Sequence, residues 1–406
     1  MKPRSFMFIA GEASGDALAA ELVQALRIGV LARDDRTTAD VQPLHTALAP
    51  RFFGTGGSKL AAAGVELAFD MTQHAVIGLG EVLKNYLKFR WLFNQLLSLA
   101  IERQPDVIVC VDFSGFNRRF ALAVRQHVRR HRGPFNNWNP KIVQYVSPQV
   151  WASRPGRVRE MASAYDLVLS IFPFEPAWYA ARAPKLRVEF VGHPIVDRYA
   201  NAECGVRSVE SEKALPPLIA LLPGSRAGEL RRHLPVVLGA WVRIRQAQST
   251  ARAVMVLPND ELLQFARGVA GSSAEQGLTM QIGGLAEALS KATLALASTG
   301  TVTMECAYFR VPTVALYKTS WSTYQIGKRI VQVKHLAMPN LLAKTEVFPE
   351  FIQDAATPEN LASAALSLLN DPARRGEVRE QLSRIIGALG EPGANRRAAS
   401  AILSLV

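Results

Sequence analysis

Short apolar runs alternate with longer stretches of mixed apolar and charged residues along the whole chain. In the first half the runs at 5–10, 51–53, 106–111, 142–146, 167–171 and 188–191 are apolar enough for strands buried on both faces. The second half repeats the pattern at 218–222, 253–257, 279–282, 294–297 and 313–317. Between them, stretches such as 17–27, 117–130, 228–246 and 301–309 carry apolar residues at helical spacing. Buried strands joined by helical crossovers predict parallel sheets covered on both faces, an α/β fold.

The alternation pauses after Gly192-His193-Pro194. There the polar stretch 201–217 ends in Pro216-Pro217 and reads as an interdomain connection. Two tandem doubly wound, Rossmann-like domains are expected, 1–200 and 201–370, with the strand ends of each facing a central cleft. Residues 371–406 are expected to form a helical tail that packs back on the first domain. Segments 33–50 and 133–140 read as surface loops.

Composition narrows the class. At 406 residues, with 49% hydrophobic and 20% charged residues, the chain suits a folded two-domain protein rather than a disordered one. A formal charge of +13 calls for an anionic partner: nucleic acid, a phosphorylated substrate or an anionic membrane. No helix-turn-helix, RRM or zinc pattern supports nucleic acid, which ranks last. Arg or Lys interrupts every apolar stretch approaching the roughly 20 residues of a membrane span, and the run at 6–10 is too short for a signal-peptide core. The three cysteines lack CxxC spacing, so a zinc site or disulfide framework is not expected and a reducing cytosol fits.

Two small-residue loops carry the most specific chemistry. Pro223-Gly224-Ser225-Arg226 follows the run at 218–222, and Ser298-Thr299-Gly300-Thr301 follows that at 294–297. Each stands where a strand hands over to a helix, whose first N–H groups and positive dipole end suit a phosphate. Glycine permits close backbone approach, Ser225 can cap the helix, and Arg226 can bond phosphate oxygens; the alternative is a capped turn with a solvated arginine. Glu229 can cap that helix or pair with Arg226. Glu305, one turn into the second helix, could reach a ribose; otherwise the loop is a Thr N-cap and Glu305 an ordinary helical acid. No P-loop pattern occurs.

The first half offers Gly11-Glu12-Ala13-Ser14-Gly15-Asp16 at its first strand end. Its two acids would repel a pyrophosphate, so Gly11, Glu12 and Ser14 suit sugar hydroxyls or an amine, with Glu12 as acceptor; the other reading is that Ser14 and Asp16 only cap the helix, and Asp16 is read that way. Asp112 ends a strand that should be central, where a partly buried carboxylate becomes a better general base; a helix-cap role is the other reading. Ser147, Gln149 and Trp151 follow the next strand and suit a sugar wall, though core packing explains Trp151 nearly as well. His193 reads as a hinge residue. A mixed apolar, aromatic and basic stretch at 76–97 fits an interfacial helix or a core helix equally.

Together, Gly11 to Asp16, Tyr145-Val146-Ser147-Pro148-x-Val150-Trp151, Phe172-Pro173-Phe174-Glu175, Phe190 to Pro194, Leu221 to Arg226 and Met338-Pro339-Asn340-Leu341-Leu342 closely resemble the lipid-A-disaccharide synthase family, in one order over nearly the whole length. The resemblance implies a GT-B glycosyltransferase that needs no metal or cofactor. It implies inverting transfer of 2,3-diacylglucosamine from UDP-2,3-diacylglucosamine to 2,3-diacylglucosamine 1-phosphate (lipid X), giving a β-1,6 disaccharide and UDP. The place implied is the cytoplasmic face of the inner membrane, peripherally bound to anionic lipid; a homodimer is left open. Asp112 or Glu12 would be the base, Arg226 and the Ser298–Thr301 helix start would steady departing UDP, and Asn340 would face the cleft. Three positions depart from the family pattern: Gly115 replaces an acid, Ser153 a tryptophan, and Leu257-Pro258-Asn259-Asp260 diverges. The alternatives are a GT-B relative with another UDP-sugar and lipid acceptor, or a non-catalytic sugar-binding paralogue at the membrane.

Overall fold

The computed structural model describes residues 3–37, 49–72, 86–200, 216–271 and 276–406. The basic-apolar stretch at 76–85, the loop at 38–48, the connection at 201–215 and Cys204 lie outside the described residues. The chain divides into two compact units, Met1–Asp197 with Leu389–Val406, and Arg198–Ala388.

The first unit holds a parallel sheet of β1 (Ser5–Ala10), β2 (Arg51–Gly56), β3 (Glu66–Asp70), β4 (Val107–Val111), β5 (Lys141–Tyr145), β6 (Leu167–Ser170) and β7 (Arg187–Phe190). Its strand order is β3-β2-β1-β4-β5-β6-β7. The β3 strand has no counterpart among the apolar runs, because it is an edge strand and only half-buried. By contrast, every residue of β1 and β4 is buried, which is why those strands read as continuous apolar runs. Met7, Ile9, Ile108 and Cys110 pack with Leu96, Phe120 and Val124 of the flanking helices.

The second unit holds β8 (Leu218–Leu222), β9 (Arg252–Leu257), β10 (Leu278–Ile282), β11 (Leu294–Ser298), β12 (Thr313–Tyr317) and β13 (Glu350–Ile352), ordered β10-β9-β8-β11-β12-β13. Along β8, Ile219 and Leu221 enter one core cluster and Ala220 and Leu222 the other, so both faces are covered. The three-residue β13 is too short to leave an apolar signature.

In each sheet the winding direction reverses once, between β1 and β4 and between β8 and β11. The carboxyl ends of such a strand pair splay their loops apart and open a crevice, the usual ligand position in doubly wound sheets.

The tail is divided. Helix Pro372–Gly387 stays with the second unit, while Leu389–Val406 joins the first. Asp197 accepts hydrogen bonds from the backbone N–H groups of Gly393, Ala394 (3.2 Å) and Asn395 (3.0 Å), satisfying the first turn of helix Ala394–Leu403. Asn395 in turn accepts from the Tyr145 hydroxyl at 2.9 Å, tying the tail to β5. Among the described residues no helix is long and apolar enough to cross a membrane.

Candidate functional site

The β1/β4 reversal brings two sequence motifs together. Ala10 pairs with Val111, so Gly11 and Asp112 leave the sheet side by side. A Cβ added to Gly11 would lie 2.3 Å from the Phe113 ring, and one on Gly15 would lie 3.5 Å from the Asp112 Cβ. Only glycine at position 11 lets that ring settle against the loop.

The backbone here is strained. Asp112 has φ 48°, Phe113 φ 40° and, at the end of β5, Val146 φ 66°. A β-branched residue in the left-handed region is a marked outlier. The strain is held by polar bonds: Asp112 N donates to Tyr145 O at 3.0 Å, and Asp112 O accepts from Asn117 Nδ2 (2.9 Å) and Gln144 Nε2 (3.0 Å). Strain gathered at a strand-end crevice marks this edge as a candidate site. Phe113, not Asp112, occupies the N-cap position of helix Ser114–His131.

Asp16 differs from its reading as a cap for its own helix. It lies inside helix Ala13–Thr37 and is buried, and its carboxylate accepts from the N–H groups of Gly57 (2.7 Å), Lys59 (3.0 Å) and Leu60 (3.2 Å). It therefore caps the helix Ser58–Ala62 after β2. Glu12 and Ser14 are half-buried at the start of helix Ala13–Thr37.

Around β5 the sugar-wall residues separate. Gln149 is exposed, but Ser147 is buried and donates to the Tyr179 hydroxyl at 3.1 Å. Trp151 is half-buried; its indole N–H donates to Glu175 at 2.9 Å and its ring meets Phe174 edge-on at 5.1 Å. Glu175 is fully buried, accepts from the Ser170 hydroxyl at 2.6 Å, and burial pushes its carboxyl up to about 7. The sequence alone assigns Glu175 no part; the aromatic residues around it are the available signal. His193 Nδ1 accepts from Ile195 N at 3.1 Å, a local bond at the start of helix Pro194–Arg198.

In the second unit the β8/β11 reversal joins the two phosphate-type loops, with Ala297 paired to Leu222. At φ 132°, Gly224 has room for no side chain: a Cβ would stand 2.9 Å from Glu229 Oε2, with Ser298 Oγ 3.7 Å away. Arg226, rather than Ser225, holds the N-cap position of helix Ala227–Ala247, and Arg226 Nη1 lies 3.3 Å from Glu229 Oε1. Ser225 is exposed. Gly300, not a threonine, is the N-cap of helix Thr301–Tyr308, and Ser298 is buried at the strand end. Thr299 N donates to Leu316 O at 3.0 Å, fixing the loop to β12, and Thr301 is exposed at the first helical position.

Glu305 sits one turn further on. Tyr199 donates its hydroxyl to Glu305 Oε1 at 2.9 Å, the Arg198 guanidinium lies 4.0 Å away, and burial raises the Glu305 pKa. Behind the first loop, buried His233 bonds Pro223 O through Nδ1 (2.8 Å) and accepts from Lys318 N through Nε2 (2.9 Å). Burial lowers its pKa, so the neutral ring ties the end of β8 to that of β12. Neither Tyr199 nor His233 was singled out from sequence.

Asn340 is corrected. Expected to face a ligand, it is fully buried; its Oδ1 accepts from Val347 N and Phe348 N (both 2.8 Å) and its Nδ2 donates to Phe348 O and Glu350 (both 2.7 Å). All four of its hydrogen-bonding positions are occupied within the fold. Asn259 of the divergent stretch is a helix cap, accepting from Leu262 N at 2.9 Å. Among the described residues no cluster of three or more His, Cys, Asp or Glu is arranged to hold a metal ion.

The sequence profile described as lipid-A-disaccharide synthetase matches residues 6–405. The chain belongs to that family. Its relatives include the lipid-A-disaccharide synthases of Myxococcus xanthus, 34% identical over all of this chain and 98% of that one, and of Geobacter sulfurreducens, 32% identical over 98% and 97%. Among solved structures, the UDP co-structure of MnaA from S. aureus aligns with TM-score 0.61 at 14% identity, covering 99% and 98% of the two chains. MurG of Acinetobacter baumannii aligns with TM-score 0.54 at 15% identity, over 99% and 100%. The likeness in structure places the chain among GT-B folds, and family membership makes it a UDP-sugar glycosyltransferase.

Proposed function

We propose that this member of the lipid-A-disaccharide synthetase family transfers 2,3-diacylglucosamine from UDP-2,3-diacylglucosamine to lipid X with inversion, releasing UDP. The observation that carries the reading is the pairing of Ala297 with Leu222, which brings the starts of helices Ala227–Ala247 and Thr301–Tyr308 to one strand-end crevice at the β8/β11 reversal. The diphosphate lies in that crevice, with Arg226 and the N–H groups at Gly300 to Val302 taking up the charge that develops on departing UDP. Glu305 takes the ribose. The first unit takes the acceptor at the β1/β4 reversal, where Asp112 or Glu12 removes the proton of the attacking hydroxyl.

The acceptor is a lipid, and the charge of +13 favours an anionic surface. Helix Tyr86–Arg103 supports contact with it: Leu92, Leu96 and Ala100 are buried, whereas Leu87 and Trp91 are 78% and 58% exposed beside the exposed Lys88 and Arg90. We place the protein peripherally on the cytoplasmic face of the inner membrane.

The test is a substrate panel on purified protein, following UDP release. Turnover is expected with UDP-2,3-diacylglucosamine and lipid X. Turnover only with another UDP-sugar or acceptor would point to a related transferase, and sugar binding without turnover to a non-catalytic paralogue.

A further inference from the structure

Beyond Asp112, the same sheet edge gathers positive charge that neither the donor site nor the base uses. Because Val111 pairs with Tyr145, helix Ser114–His131 and the turn through 150–157 leave adjacent strand ends. The helix brings Arg118 and Arg119. The turn brings Arg154, which closes the short helix Val150–Ser153, and Arg157, whose N–H donates to Arg154 O at 3.1 Å.

Arg118 is only 9% exposed. Its Nε is buried 3.2 Å from Glu160 Oε2 but is not aligned for a hydrogen bond with any described group. Glu160 is 54% exposed at its side chain, so water screens most of what it offers. Arg119 and Arg154 are exposed and Arg157 is half-buried. Burial, and the charges of Arg118, Arg154 and Arg119, push the Arg157 pKa down. Like charges gathered on neighbouring segments repel. An anion offering several acceptor oxygens relieves that repulsion at the exposed Arg119 and Arg154 and the half-buried Arg157, and guanidinium forks match a phosphate in geometry.

We propose that Arg118, Arg119, Arg154 and Arg157 form a phosphate-monoester subsite that holds the sugar-1-phosphate of the acceptor. The inference rests on the reading of the first unit as the acceptor side and adds the group by which that acceptor is recognised. The subsite lies on the segments that follow Asp112 and β5, so it orients the sugar from its anomeric end while the opposite hydroxyl is free to react. A substrate carrying about two negative charges meets four guanidinium groups and one screened carboxylate.

The test compares wild type with R154A/R157A, a pair in a surface turn, using glucosamine 1-phosphate and glucosamine as soluble probes in NMR titrations. Wild type is expected to bind the phosphorylated sugar about tenfold or more tighter than glucosamine, and the variant to lose that preference while UDP affinity stays. In turnover the variant raises KM for the phosphorylated acceptor and leaves KM for the same acceptor stripped of its phosphate unchanged. Equal binding of both sugars by wild type overturns the subsite, whatever the enzyme turns over. So does an intact preference in the variant, including the case where it loses only binding to vesicles of anionic phospholipid, which makes the cluster a membrane contact. Failure of wild type to turn over any lipid acceptor would instead strike the functional reading, since the sugar titration does not depend on catalysis.

Discussion

The indole N–H of Trp151 donates to the Glu175 carboxyl at 2.9 Å, beneath the loop that follows β5. Ser170 donates to the other oxygen at 2.6 Å, so a buried acid organises the loop from below. Burial raises the Glu175 pKa from 4.5 to about 7. Between these values the folded protein holds a proton that the unfolded chain has lost. This group's contribution is therefore greatest below pH 4.5, falls as pH rises to about 7 and is level above, a total of about 3 kcal/mol. Urea unfolding of wild type and E175Q across that window checks this: the variant should lose the slope, and an unchanged slope would place the titration elsewhere.

Gly11→Ala should damage catalysis more than nucleotide binding. The added methyl would meet the Phe113 ring at 2.3 Å and displace the strained turn carrying Asp112. We expect kcat to fall about tenfold or more, since small misplacements of a base are costly, with UDP affinity unchanged in a fluorescence titration. Normal turnover in this variant would show that the contact does not position Asp112.

Much of this was legible in the sequence, for a physical reason. β1, β4, β8 and β11 are buried on both faces, so each leaves an apolar run, and the loops after them carry the small and polar residues that helix starts require. What stayed hidden depends on partners distant in sequence. Asp16 serves a helix some forty residues away. Asn340 sits in a motif like a ligand contact, yet the 347–348 backbone and the Glu350 carboxylate use all its bonding capacity. β3 and β13 lack an apolar run because one is a half-buried edge and the other three residues long.

Asp112→Asn keeps the size of the side chain but removes its basicity. Turnover is expected to fall by about a hundredfold or more while UDP still binds, because general-base catalysis contributes on that scale. Retained activity would transfer the base role to Glu12, which E12Q then tests directly.

Tyr199→Phe removes the hydroxyl that donates to Glu305 Oε1 at 2.9 Å. If Tyr199 aims Glu305 at a ribose, UDP affinity should drop by about fivefold, and the preference for UDP over 2′,3′-dideoxy-UDP should shrink with it. Calorimetric titration of both nucleotides measures this. A uniform loss on both would assign Tyr199 to packing alone.

The most direct measurement is a crystal structure of the protein with UDP, grown in chelator. The diphosphate is expected against Gly224 to Arg226 and the N–H groups at Gly300 to Val302, with the ribose at Glu305 and no divalent ion between the phosphates. A diphosphate bound in the first unit, or density that appears only when magnesium is added, would contradict this expectation.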